Sequence, residues 1–157
     1  SEQTLSLFEM LFPFAASPEY FHSYGPSGFI EQQVLIPLEN VESYLANLED
    51  LLRRHRQICG LATLKVFSGE QQLLRFCGNG VSLALHVAAS PAALLFMSAL
   101  DILNIEMKAK TNLVKDARIS AETAMAQYPE YNQFHEQLLA FDPERLFVSS
   151  LSRRLKL

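Results

Sequence analysis

Two nine-residue runs constrain the fold more than anything else in the chain: "FIEQQVLIP" at 29–37 and "VSLALHVAA" at 81–89. Each alternates with a period of two, the rhythm of a strand whose faces meet different surroundings. In the first, Ile30, Gln32, Val34 and Ile36 make the better core face and leave Phe29, Glu31, Gln33 and Leu35 on the other. In the second, Val81, Leu83, Leu85 and Val87 oppose Ser82, Ala84 and His86. Strands of this kind bury one face of a sheet and keep polar groups on the opposite one.

The intervening segments predict the rest of the layout. Residues 39–57 read as an amphipathic helix through Val41, Leu45, Leu48, Leu51 and Leu52. "LATLKVF" reads as a strand, "SGEQ" as a turn, "QLLRFC" as a returning strand and "GNG" as a second turn. Ser90-Pro91 starts a helix, since serine caps free amides and proline suits the first turn; Ser17-Pro18 repeats the signal. "TNLVK" supplies a short extended piece. The expectation is an α+β fold, a mainly antiparallel sheet with helices on one face, followed by a short helical tail. In that tail Ser120 caps one helix, "EYNQFHEQLLA" forms a second and Asp142-Pro143 opens a third.

Composition excludes several classes. At 157 residues, 49% hydrophobic and 19% charged, the chain has the makings of a packed core. A net charge of −4, with no broad basic face, argues against nucleic acid as a partner. Cys59 and Cys77 lack ligand spacing and read as small, half-buried hydrophobes. No apolar run is long enough for a membrane span, and "LSLFEMLFPF" lacks the positive flank of a signal peptide. The expected location is therefore cytoplasmic or at the membrane periphery. The abrupt, Phe-rich start suggests a piece of something longer.

The four histidines are scattered, and none has metal-ligand spacing. His55, among arginines at a helix end, reads as surface. Glu31, Gln33, Lys65 and His86 would share one polar sheet face if their strands are neighbours. Taken alone, these residues leave two readings open: a polar sheet-face site, or an ordinary solvated face.

Three segments carry a resemblance. They are "YGPSGFIEQQVLIP" (24–37), "TLKVFSGE" (63–70) with the strand after Gly80, and the stretch from Lys115 to Leu157. The last holds Lys-Asp-x-Arg, Tyr128-Pro129, Phe141-Asp142-Pro143 with Phe147, and Ser-x-x-Arg-Arg-Leu. Together they resemble flavin-linked oxidases of the vanillyl-alcohol-oxidase type, in particular the decaprenylphosphoryl-ribose 2-oxidase branch. The resemblance implies that 1–112 belong to a substrate (cap) domain and that 113–157 return to a missing N-terminal FAD-binding domain. It implies FAD as cofactor in the longer protein and a fragment inactive by itself. It also implies hydride transfer from a secondary alcohol of a sugar or polyprenyl-phosphate sugar, with a short-chain reductase as a possible partner.

On that resemblance Lys115 matches a lysine near the flavin ring and the reacting carbon. Gln33 matches a pocket glutamine, and Lys65 a lysine that contacts substrate. Tyr24 falls in the matching Tyr-Gly turn. Three positions depart from the pattern: Ala84 stands for a pocket cysteine, His86 for an aspartate and Glu31 for a glutamine. The substrate surface is therefore altered. Competing readings are a free-standing α+β module that binds a ligand or protein without catalysis, and a flavoenzyme acting on an aldonolactone or hydroxy acid.

Overall fold

The computed structural model describes residues 4, 6–11 and 17–157. The Phe-rich opening segment, on which the leader-peptide reading rests, lies partly outside them. Two short helices, α1 (Leu7–Leu11) and α2 (Pro18–His22), precede strand β1 (Phe29–Pro37). Helix α3 (Val41–Arg54), strands β2 (Cys59–Phe67) and β3 (Gly80–Ala88), helix α4 (Pro91–Glu106) and the two-residue strand β4 (Lys110–Thr111) follow. The tail holds α5 (Ala121–Gln127), α6 (Tyr131–Phe141) and α7 (Ser150–Arg154).

The sheet is antiparallel throughout, in the order β2-β3-β1-β4, so the α+β expectation holds. The alternation sorts as the two runs require. Val34 and Ile36 of β1 join Leu83, Leu85 and Val87 of β3 in a core against α3 and α4. Phe96, Met97 and Leu100 of α4 are fully buried there. Burying side chains of this size stabilises by about 1.5–3 kcal/mol each. On α3 the buried positions are Tyr44, Leu48 and Leu51. Leu45, counted on the core stripe from spacing, faces outward, and Tyr44 takes that place with its hydroxyl donating to Asn104 at 2.7 Å.

Four local expectations need correction. "QLLRFC" is not a strand: residues 68–79 form one irregular connection between β2 and β3. Leu74 in that connection packs against the tail instead of pairing in the sheet. The short strand ends at Thr111, before "NLVK", because Asn112 and Lys115 close a turn in which the Lys115 amide donates to the Asn112 carbonyl. Asp142-Pro143 opens no helix. Asp142 instead accepts the amides of Leu146 and Phe147 at 2.8 and 2.9 Å, and α7 starts under a Ser149 capping box. His55 is not plain surface: it is half-buried, with its ring 5.9 Å from that of Phe96.

The tail has its own small core of Leu113, Ile119, Ala124, Tyr128, Tyr131 and Leu155. It also finishes the sheet. The outer backbone of β4 would be a bare edge, but Gln127 Oε1 accepts the Thr111 amide at 2.8 Å and the Tyr128 hydroxyl donates to the Thr111 carbonyl at 2.7 Å. Among the described residues, β2 at the other margin has no such cover. Its Leu64 and Val66 lie in register with Leu83 and Val81 yet are 57% and 82% exposed.

Candidate functional site

The polar sheet face forms because the strand order puts β3 between β1 and β2. Register then lines up three rows: Glu31, His86 and Leu61; Gln33, Ala84 and Thr63; Leu35, Ser82 and Lys65. The four residues singled out from alternation thus share one face. Most of that face is not open, however. Gln33, Ser82 and His86 are buried, and each is satisfied by neighbours. Gln33 Nε2 donates to Ser82 Oγ at 3.1 Å, and its Oε1 accepts from Asn112 Nδ2 at 2.9 Å. Ala84 is half-buried between the polar rows, and Lys65 stands exposed on the outer strand.

The first row holds the titratable pair of the face. His86 Nε2 lies 3.1 Å from Glu31 Oε2, and its Nδ1 lies 2.8 Å from the Tyr20 hydroxyl. Glu31 Oε1 in turn accepts from Lys115 Nζ at 3.4 Å. A carboxylate can only accept, so the imidazole donates to it from Nε2, and in the neutral ring Nδ1 then accepts from the Tyr20 hydroxyl. Phe29 stacks on the imidazole, with centroids 4.6 Å apart and planes 11° from parallel. Tyr20 and Tyr24 complete an aromatic wall, their centroids 6.5 and 6.4 Å from that of His86. Tyr24 is buried in this wall rather than facing open space, and burial, with the neighbouring Tyr20 hydroxyl adding to it, pushes its phenol up to about 12.

The Lys-Asp-x-Arg cluster divides its labour. Asp116 turns inward and accepts the amides of Arg118 and Ile119 at 2.6 and 2.7 Å. Arg118 forks onto both carboxylate oxygens of Asp101, at 2.9 and 3.1 Å, and reaches Asp116 at 3.1 Å. Gln32 donates to the same Asp101 from the core face of β1. Burial alone would lower the Arg118 pKa, but Asp101 and Asp116 outweigh it and hold the guanidinium more firmly protonated. With its neighbours committed to this joint, Lys115 projects over the end of β1. Its salt bridge is with Glu31, not with Asp116 or Glu122; the latter pairs with Lys156.

Phe29, Ile30, Glu31, Leu94, Lys115 and Arg118 line a cavity of about 330 Å³. A second, apolar cavity of about 370 Å³ lies beyond Asn112, among Leu74, Phe76, Leu113, Val114 and Phe134. Asn112 belongs to both the polar face and this apolar space. Spacing gave no signal for Tyr20 or Asn112: they lie 66 and 79 residues from their partners His86 and Gln33. Among the described residues, no group of histidine, cysteine or carboxylate side chains could hold a metal ion.

No family model matches the chain. One curated protein, from Mycolicibacterium smegmatis, is 29% identical over 140 residues, which is 88% of this chain. The chain is similar to decaprenylphosphoryl-beta-D-ribose oxidase. The motif resemblance thus extends to sequence identity along most of the chain. An uncharacterised Streptomyces coelicolor protein is 36% identical over 120 residues. The chain spans only 30% and 32% of these relatives' lengths, about a third of each.

Proposed function

We propose that this chain forms the substrate-domain and tail portion of an FAD-dependent oxidoreductase that oxidises a secondary alcohol of a sugar or polyprenyl-phosphate sugar. One observation carries the reading: in a chain similar to an oxidase, Lys115 Nζ stands over a cavity of about 330 Å³ at the end of a polar sheet face. A half-exposed ammonium there suits a flavin, since it faces space in which negative charge can develop. When bound, the flavin supplies a two-electron hydride acceptor. This chain's own part is to hold the alcohol: Lys115 donates to its oxygen, Glu31 accepts beside it, and Phe29 and Leu94 give the sugar a wall. The apolar cavity past Asn112 supports a lipid-linked substrate, because a hydrocarbon tail needs dry surface next to the polar site.

A visible absorption spectrum of the protein purified from the full reading frame tests this reading. A flavin spectrum that bleaches with a sugar alcohol supports it. A colourless protein that FAD does not reconstitute would leave a ligand-binding module without catalysis.

A further inference from the structure

Oxidising an alcohol removes a hydride from carbon and a proton from oxygen, and Lys115, as an ammonium, takes neither. We propose that Glu31 is the general base for the hydroxyl proton, and that His86 and Tyr20 are positioning residues that aim it. This proposal rests on the oxidoreductase reading above.

The argument starts from which atoms of Glu31 are already committed. Oε2 accepts the His86 Nε2–H at 3.1 Å, so Oε1 is the oxygen left toward the cavity, where its partner is Lys115 at 3.4 Å. That contact is long for a charge-assisted bond, and the Lys115 side chain is 55% exposed. An alcohol oxygen entering between them would accept from Lys115 and donate to Oε1. The O–H proton then passes to Oε1, the C–H pair leaves as hydride to the flavin-class acceptor, and the C=O bond forms. Oε2 keeps its bond from His86 in both protonation states of the carboxyl, so the base does not swing away after each turnover.

The imidazole is built to hold that orientation. The Tyr20 hydroxyl on Nδ1 selects the Nε2–H tautomer, and the Phe29 stack fixes the ring plane. The titratable groups around it are Glu31 on β1, Tyr20 on α2, Tyr24 in the following turn and Cys59 on β2, with Lys115 one step away through Glu31.

The test compares wild type, Glu31→Gln and Tyr20→Phe in the FAD-loaded full protein, with ¹⁵N-histidine NMR alongside flavin reduction by a sugar alcohol. The His86 signal is assigned by its loss in His86→Gln. The proposal expects an Nε2–H imidazole in wild type. In Glu31→Gln it expects flavin reduction slower by about 10²–10⁴-fold with little change in KM. In Tyr20→Phe it expects a mixed tautomer. Full-rate reduction in Glu31→Gln, or an Nδ1–H tautomer in wild type, overturns the assignment. Wild-type flavin that no sugar alcohol reduces would instead sink the oxidoreductase reading on which it rests.

Discussion

Replacing Asp116 with alanine should loosen the joint between sheet and tail more than any other single change in the Lys-Asp-x-Arg cluster. The carboxylate is almost wholly buried and takes two backbone amides, the Arg118 guanidinium at 3.1 Å and, more loosely, that of Arg154 at 3.9 Å. Ile119 is 1% exposed, so its freed amide cannot turn to water and costs about 1–3 kcal/mol. Arg118 loses one of two carboxylate partners but keeps its fork onto Asp101, so that part stays below the ~3–5 kcal/mol of a fully broken buried pair. The sum is about 4 kcal/mol. Asparagine, which retains one acceptor oxygen for an amide, should cost about 2 kcal/mol. Equilibrium urea unfolding followed by circular dichroism reads both values as changes in midpoint at constant slope. A loss below about 1 kcal/mol for Asp116→Ala would refute the reasoning, because it would mean that the freed amide finds a partner that the packing does not show.

Other expectations follow from the same geometry. Lys115→Ala should slow flavin reduction by about 10²–10³-fold while leaving the unfolding midpoint unchanged, since the side chain is half exposed and paired across one long contact; rapid-mixing absorbance measures the first and urea titration the second. Gln33→Leu strips partners from Ser82 and Asn112 and should destabilise by about 1–3 kcal/mol in chemical denaturation. Gly80→Ala would place a Cβ 2.2 Å from the Ile36 carbonyl oxygen, a backbone atom that cannot step aside, and should cost about 3 kcal/mol by thermal unfolding. Tyr24 gives a pH signature. Its phenol sits at about 12 in the fold against about 10 in a free chain, so the fold favours the neutral form. That contribution is present below pH 10 and is lost as the pH rises from about 10 to 12. Tyr24→Phe should flatten this alkaline decline, followed as stability against pH with tyrosinate absorbance as the titration marker.

The polar face was legible because alternation is local. Nothing beyond the spelling of "FIEQQVLIP" and "VSLALHVAA" is needed to put Glu31, Gln33 and His86 on matching sides, and a strand neighbourhood does the rest. What escaped was whatever depends on chain segments meeting across distance. Tyr20 sits in a five-residue helix, and only the folded sheet brings it to His86. "QLLRFC" has the composition of a strand, but Leu74 is drawn to the tail's core instead of pairing in the sheet. Asp142 carries a helix-start spelling, yet two waiting amides hold its side chain in a turn. Lys115 was picked out by resemblance, and its partner Glu31 was found only once the tail had folded back over β1.

Among the described residues the flank of β2 stands uncovered, and an open strand edge is a template for pairing with another chain. Leu64 and Val66 lie exposed on a ribbon whose outer hydrogen-bonding margin is unpaired among the described residues, and Lys65 is the one charge along that ribbon. One repelling ammonium per strand is a thin guard. Handling this polypeptide is therefore a colloid problem as much as a folding one: salt screens the lysine and brings ribbons together, whereas dilution and low ionic strength keep them apart.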